Sequence, residues 1–213
     1  MPLLILGKDP SNYLKSDPTL SSLRATTRPF ETNKNWMHVA TKSGTIAAAT
    51  AGGSPLFTLQ NISNNLLAIK RVKVCFSMIT WATAQYVDFG LQIARNITAV
   101  QTGGTAIALT GNNCKLMAEG ASLSAVNCRV ATTGTLTAGT RTLDTNYIGM
   151  TGNWSAAVGT PIPLTTIFEA LPGKYPIILA LNEGIEIQLL TTLGTTNTGV
   201  LGVTIEFAET NAY

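Results

Sequence analysis

This sequence has unusually few charged residues. Only 12% of its 213 residues are Asp, Glu, Lys or Arg, about half of the roughly 25% found in an ordinary globular chain. The hydrophobic share of 45% is normal, so threonine, asparagine, glycine, alanine and serine take the place of the missing charges. Because charge is depleted at the centres of protein interfaces, this composition favours a protein that works packed against other subunits. The alternative is a secreted β domain with a threonine-rich surface.

Histidine is nearly absent as well, which limits the catalytic sites that the chain can build. The single histidine, His38, lies between aromatic and apolar neighbours, which favours a contact-making side chain over a catalytic one. A Ser–His–Asp triad or a Cys–His pair would have to use it. Glu183 and Glu186 are spaced so that a strand places them on opposite faces, and the same holds for Glu206 and Glu209. We therefore expect no enzyme, no catalytic residue and no small-molecule substrate.

Metal and cofactor motifs are also missing. Cys75, Cys114 and Cys128 form an odd set without a CxxC pair, which argues against a disulfide framework or a zinc site. Gly52–Ser54 and Gly103–Thr105 are followed by no lysine and open no helix, so they are predicted to be turns rather than phosphate-binding loops. We expect no metal and no cofactor, with the three cysteines as small buried side chains of a chain made in a reducing cytoplasm.

Membrane and nucleic-acid partners are not predicted. No segment approaches the roughly 18 apolar residues of a membrane span, and Pro2–Leu6 is too short for a secretory leader. The net charge of +3 lies entirely in residues 1–42, where it is too small and scattered for a nucleic-acid footprint. It would help this segment to approach an acidic protein surface; the alternative is a solvated tail with random charges.

Residues 1–54 are predicted to form an extended N-terminal arm, since four prolines interrupt them before any strand pattern begins. Within the arm, Asp17–Arg24 is predicted to be a two-turn helix, with Asp17 as N-cap and Pro18 at the first helical position. Thr45–Ser54 has almost nothing to bury and is predicted to be a flexible connector or strap. Aromatic residues and arginine dominate interface hot spots, so the predicted partner-binding residues are Leu20, Leu23, Arg24, Arg28, Phe30, Trp36 and His38.

Residues 55–213 are predicted to form one domain of about eight strands, because apolar and polar residues alternate from Pro55 onward. The clearest segments are Ile69–Ile79 and Tyr86–Ala94, and Tyr86, Phe76 and Phe89 are expected to be core residues. The other predicted strands are Leu56–Ile62, Thr105–Leu109, Ser122–Ala131, Thr140–Ile148, Tyr175–Leu181, Gly184–Leu190 and Val203–Phe207. Gly149–Gly159 is predicted to be an exposed loop carrying Trp154. The fold class is therefore all-β, a jelly-roll or Greek-key sandwich.

Five segments of the domain resemble jelly-roll virion proteins of tailed bacteriophages. The resemblance covers residues 55–209 and is carried by Leu59–Val74, Val87–Leu91, the TGGT connector within Ile97–Ala106, Pro176–Ile187 and Val203–Phe207. It implies a capsid decoration (cement) protein on the outside of the phage head, bound to major capsid protein subunits and to itself as a homotrimer. The arm lies outside the resemblance.

Two other functions stay open at this point. One is a major capsid protein or a tail or collar component, for which the same composition would serve. The other is a carbohydrate-binding sandwich in host recognition, with Trp81 and Trp154 as stacking platforms in loops. A glycosidase would need two facing carboxylates, which the sequence does not predict.

Overall fold

A computed structural model describes residues 15–17, 22–24, 36–109, 114–116, 126–155, 162–171 and 175–210. The chain divides into two compact units, Met1–Asn33 and Lys34–Tyr213. In the first unit, strand β1 (Lys15–Asp17) pairs antiparallel with strand β2 (Ser22–Arg24). The predicted helix over Asp17–Arg24 is therefore wrong in its described residues. An isolated helix shorter than about 12 residues is marginal in water, and a hairpin satisfies the same backbone groups across two strands.

The second unit is an all-β sandwich, which confirms the predicted fold class. None of its described residues is helical. The strands are β3 (Trp36–Lys42), β4 (Ser54–Asn61), β5 (Leu66–Thr80), β6 (Gln85–Arg95), β7 (Thr105–Ala106), β8 (Val126–Val130), β9 (Thr142–Leu143), β10 (Gly149–Ser155), β11 (Ile162–Glu169), β12 (Ile177–Leu179), β13 (Glu183–Leu189) and β14 (Thr198–Thr210).

These strands form two antiparallel sheets. Sheet I has the order β10-β6-β13-β4-β8-β7, with β9 also paired to β6, and sheet II has the order β11-β5-β14-β3, with β12 also paired to β5. The pairing is nested along the chain: β3 pairs with β14, β4 with β13, β5 with β11 and β6 with β10. Consecutive strands from β3 to β6 therefore alternate between the two sheets, and the later strands return in reverse order beside them.

The core lies between the sheets, where the apolar residues of each strand meet. In β5, Val72, Val74 and Phe76 are fully buried, and the residues between them remain partly exposed. Phe76 of sheet II packs on Phe89 of sheet I, with ring centroids 5.2 Å apart in a tilted arrangement. Burying a large apolar side chain contributes about 1.5–3 kcal/mol, so the alternation seen in the sequence is what holds the two sheets together.

Residues 36–54 belong to the sandwich unit, although the sequence places them in the arm. Strand β3 pairs with β14, and its Met37 and Val39 are buried beside partly exposed neighbours. The predicted connector, Thr45–Ser54, also packs on the sandwich. The Ile46 N–H donates to the Gly199 carbonyl at 2.7 Å, and Ile46 is fully buried. Only the first four residues of β3, 36–39, alternate regularly between partly exposed and buried positions. This pattern is too short to be recognised in the sequence next to a glycine- and alanine-rich run.

The segment from residue 140 to 170 differs most from the prediction. Gly149–Ser155, predicted to be a loop, is strand β10, and Ile162–Glu169, for which no strand was predicted, is strand β11. Of the predicted strand Thr140–Ile148, only Thr142–Leu143 pairs. Glycine weakens a strand and marks close backbone approach. Gly149 is such a case, because a Cβ there would lie 1.9 Å from the Ile167 carbonyl oxygen of β11.

A long insertion, residues 96–148, lies between β6 and β10. Its strands β7, β8 and β9 extend sheet I, Lys115 bridges to Met37 of β3, and other described residues of the insertion, among them Gln101 and Arg141, pack on the outer face of sheet I. The backbone of the insertion is hydrogen-bonded to strands of the sheet: Leu136 N–H donates to the Pro55 carbonyl at 2.9 Å, and Ile148 N–H to the Leu91 carbonyl at 2.8 Å. Tyr147 lies directly against Gly90 of β6. The centre of sheet I is therefore covered on both faces, by sheet II on one side and by parts of the insertion on the other, whereas its outer face stays exposed along β10, at Met150 and Trp154.

Candidate interaction surface

The outer face of sheet I is polar but buried. Its central residues Thr58, Gln60, Gln92, Glu186 and Gln188 are all at most 6% exposed. The insertion supplies partners for Gln60, Gln92 and Glu186, whereas Thr58 and Gln188 donate hydrogen bonds to β13 and within it. The Arg141 guanidinium binds Glu186 through both of its carboxylate oxygens, with Nη2 2.8 Å from Oε2, and the Glu186 side chain is fully buried.

Buried amides complete this layer. The Gln60 Oε1 atom accepts hydrogen bonds from the Gln101 backbone N–H at 3.2 Å and from Asn127 Nδ2 at 2.8 Å. Gln92 Nε2 donates to the Asp144 carbonyl. Because residues of the insertion form hydrogen bonds with these amides, the chain itself covers the centre of the outer face of sheet I.

The outer face of sheet II is different, because its side chains keep partial exposure. One row of residues in register crosses four strands: Glu169 on β11, Arg71 on β5, Glu206 on β14 and His38 on β3. Arg71 binds both acids, at 3.5 Å from Glu169 and in a shorter contact with Glu206. The hydrogen bond that Arg71 donates to Glu206 raises the pKa of Arg71, against the lowering effect of burial.

The neighbouring rows of this face are lined mostly by small side chains. Thr204 lies between Lys73 and Ala40. Gly202 lies beside Cys75, whose sulfur would be 2.5 Å from a Cβ at that glycine. Small side chains make the centre of the face flat, which suits close approach by another protein surface.

At one end of this face, Trp36 contacts the side chain of Lys70. The Lys70 Nζ atom lies 5.0 Å from the centroid of the Trp36 ring, a cation–π contact of about 0.5–1 kcal/mol at an exposed site. Trp36 keeps intermediate exposure at the edge of the face.

The structure separates the predicted partner-binding residues into two groups. Trp36 and His38 lie on the outer face of sheet II, together with Arg71, Glu206 and Lys70, which were not predicted as site residues. The backbone of Leu23 and Arg24 forms part of β2, and their side chains fall outside the described residues. Leu20, Arg28 and Phe30 also lie outside them. The period-two pattern of Ile69–Ile79 was the signal that could have added Arg71 to the site.

The carboxylates of the sandwich that the structure describes with side chains all have partners. Arg95 donates hydrogen bonds to Asp144 and to Glu183, each at 2.7 Å. These two hydrogen bonds raise the pKa of Arg95, and the one to Asp144 has the larger effect. Asp88 Oδ1 accepts from the Thr191 N–H at 2.8 Å, and Glu209 accepts from Asn65 Nδ2 at 2.7 Å. The remaining pairs are Glu169 and Glu206 with Arg71 and Glu186 with Arg141. These carboxylates are fixed as structural ion pairs and hydrogen-bond acceptors.

His38 has one cysteine nearby, but the arrangement is structural. The His38 backbone N–H donates to the Cys114 carbonyl at 2.7 Å, and the Cys114 thiol donates to the Leu109 carbonyl at 3.3 Å. Burial raises the pKa of the Cys114 thiol, and that of Cys128 as well. Since the thiolate is the nucleophile, a raised pKa makes both groups less reactive.

No three His, Cys, Asp or Glu side chains in the described ranges lie close enough together to hold a metal ion. The same residues include no helix of the length and apolarity that crossing a membrane requires.

Exposed aromatic side chains gather at the other edge of the sandwich, on sheet I. Trp154 of β10 is 59% exposed and is the cross-strand partner of Tyr86 of β6, which is 45% exposed. Met150 of β10 is also exposed, as is Tyr147, which precedes β10 in the chain and lies against Gly90 of β6. We call Tyr86, Tyr147, Met150 and Trp154 the aromatic strip. The expectation that Tyr86 is a core residue is wrong, whereas Phe76 and Phe89 are buried as predicted.

Trp81 does not take part in this strip. It is 7% exposed, and its Nε1 donates to the Ser155 carbonyl at 3.1 Å. The prediction that Trp81 and Trp154 are both loop platforms is therefore wrong for Trp81, and Trp154 lies on a strand. Strand β10 was not predicted because it contains Gly149 and Gly152, and glycine is uncommon in strands.

Comparison with known proteins does not place the chain in a family. No protein-family model matches the sequence, and no curated protein matches it either.

Proposed function

We propose that this chain is a structural protein of a tailed-phage particle, a decoration protein that binds the capsid shell from outside. The observation that carries the proposal is the difference between the two outer faces. The centre of the outer face of sheet I is occupied by the insertion, and sheet II presents a partly exposed face bordered by Trp36 and His38. The low charge of the whole chain supports the same conclusion, since charge is depleted where proteins pack together.

The strand order supports the jelly-roll part of the proposal. In a jelly roll, eight strands form two Greek keys in a double sheet. The nested pairs of β3 with β14, β4 with β13, β5 with β11 and β6 with β10 support this assignment. Fold alone does not define function, so the surface chemistry carries the functional argument.

Contact area is the proposed mechanism. A standard protein interface buries about 1,600 Å², and the outer face of sheet II together with the first unit, Met1–Asn33, supplies the contacting surface. Modest binding per copy becomes strong when many copies sit on one particle and each copy also contacts its neighbours. Self-association as a trimer around a threefold axis would give this arrangement.

The proposal is tested with phage particles that lack the protein. The purified chain is added, and binding is measured by cosedimentation, with self-association measured separately by light scattering. We expect saturable binding. Thr204→Arg, which places a long cation beside Lys73 at the centre of the sheet II face, is expected to weaken it about tenfold or more.

The matched control is Thr135→Arg, the same chemical change at an exposed position of the insertion. It should bind as the unchanged protein does. Equal loss in both variants, or none in either, would remove sheet II from the account. Deletion of residues 1–33, which keeps strand β3, tests the first unit separately, and unchanged binding would exclude a role for it.

A shell or tail role is the alternative within the same class. Copy number per particle distinguishes them, because a shell protein matches the capsid stoichiometry and a tail or collar component is present in few copies. Quantitative mass spectrometry of purified particles gives this number directly.

A further inference from the structure

Three of the four residues of the aromatic strip, Tyr86, Met150 and Trp154, lie on the paired strands β6 and β10, and Tyr147 lies just before β10. Trp154 and Tyr86 are cross-strand partners, and Met150 lies opposite Gly90 in the same pairing of β10 with β6. From Met150 to Trp154 the strip follows the strand for about 13 Å, given a rise of about 3.3 Å per residue. Strand-borne side chains hold their positions more firmly than loop residues do.

Two glycines make the strip flat. The Tyr86 ring lies over Gly152, where a Cβ would be 2.7 Å from Cζ of the ring. The Tyr147 ring lies over Gly90, where a Cβ would be 2.5 Å from Cδ1. Both rings therefore rest against backbone and keep an outward side, since Tyr86 and Tyr147 remain 45% and 37% exposed. The result is a shallow surface with little side-chain motion to lose on binding.

The charge at the strip limits what can bind there. Asp88, partly exposed, is the cross-strand partner of Gly152 in the middle of the strip. Its Oδ1 accepts from the Thr191 N–H, and within the described residues its Oδ2 accepts no hydrogen bond. None of the four strip residues carries a cation. One fixed carboxylate without a neighbouring cation disfavours phosphates, acidic polysaccharides and acidic proteins, and it suits a neutral ligand that donates hydroxyl protons.

We infer that the aromatic strip binds a neutral carbohydrate, with sugar rings stacked on Trp154 and Tyr86 and a hydroxyl donating to Asp88 Oδ2. A sugar ring has an apolar face of C–H groups and a rim of hydroxyls. Tyrosine and tryptophan match both, because each combines an electron-rich ring face with a polar group at its edge, and C–H groups interact favourably with such partners. A large exposed apolar surface on a soluble chain marks a binding site.

This inference is independent of the proposed decoration role, because it uses the edge of sheet I and none of the residues of the sheet II face. A protein partner is the competing occupant, since aromatic residues and methionine are enriched at protein interfaces. The flat, short strip with a single hydrogen-bond acceptor in its middle favours a linear oligosaccharide.

The test uses the purified full chain on an array of oligosaccharides, with neutral hexose and N-acetylhexosamine chains in one arm and sialylated and sulfated chains in the other. We expect binding in the neutral arm. For a neutral oligosaccharide that binds, titration calorimetry should give affinity losses of about tenfold for Trp154→Ala and for Tyr86→Ala. Asp88→Asn should weaken binding less, because it keeps an oxygen acceptor.

The matched control is Tyr175→Ala, which removes an 82% exposed aromatic side chain elsewhere on the unit. It should bind as the unchanged chain does, and thermal unfolding midpoints establish that all variants are folded. No binding in the neutral arm would overturn the inference. So would binding in the anionic arm alone, full binding by folded Trp154→Ala, or a strip that proves necessary for particle attachment without binding any sugar.

Discussion

Both sheets carry polar residues at their outward-facing positions, but at the centre of sheet I these residues are buried, whereas in sheet II they stay partly exposed. In sheet I, Gln92 and Glu186 are buried beneath the insertion and paired with its groups. In sheet II, Arg71 and Glu206 form a comparable ion pair, but their side chains keep 29% and 24% of their exposure. The comparison teaches that a polar strand face acquires its role from what lies over it. The centre of one face is covered by the chain itself, and the other face keeps partial exposure, which the proposed function assigns to a partner.

The largest expected effect is the loss of the ion pair under the insertion. Arg141→Ala leaves the fully buried Glu186 carboxylate without its cation, and breaking a buried pair in this way costs about 3–5 kcal/mol. Thermal unfolding followed by circular dichroism should show a Tm lower by on the order of 10 °C. A change smaller than about 1 kcal/mol would mean that the insertion does not seal this face.

The matched change on the other sheet should be mild. Arg71→Ala removes the corresponding cation from the sheet II face, where solvent can hydrate Glu169 and Glu206. Exposed ion pairs contribute about 0.2–1 kcal/mol, so urea unfolding should show a correspondingly small loss in the free energy of unfolding. If Arg71→Ala were as costly as Arg141→Ala, the contrast between the two faces would be lost.

Uncharged polar groups should follow the same order with smaller effects. Gln60→Leu leaves the Gln101 N–H and the Asn127 amide without their shared acceptor, at a cost of about 1–3 kcal/mol. Thr204→Val, on the sheet II face, should stay within about 0.5 kcal/mol of the unchanged protein. Urea denaturation of the pair measures both, and equal losses would argue against the comparison.

Thiol reactivity gives the smallest but most local contrast. Cys75 is partly exposed on sheet II, whereas Cys114 and Cys128 are buried. Burial raises the pKa of Cys114 and Cys128, so at a given pH each holds less thiolate, and the two stay unreactive to a higher pH. Iodoacetamide on the folded chain should label Cys75 first, and all three cysteines should react after denaturation. Early labelling of Cys128 would show that sheet I opens readily.

The sequence predicted the sandwich because its long strands alternate cleanly. Ile69–Ile79 and Tyr86–Ala94 lie within β5 and β6, and Phe76 and Phe89 meet in the core. It failed at β10, where Gly149 and Gly152 make room for the Ile167 carbonyl and the Tyr86 ring. Such contacts join residues distant in the chain, and a local pattern cannot reveal them.

The interaction surface was only partly predictable for the same reason. Trp36 and His38 were predicted from residue type, but their neighbours Lys70 and Glu206 come from distant strands. Nor could the sequence indicate which sheet the insertion covers. That depends on Arg141 reaching Glu186, a pairing of two residues that look like ordinary surface charges.

The central claim is that the outer face of sheet II is buried when the protein is on its particle. Alkylation of Cys75, quantified by mass spectrometry in the free chain and in intact particles, tests it most directly. The account predicts that Cys75 is modified in the free chain and protected in the particle. The same extent of modification in both states would contradict it.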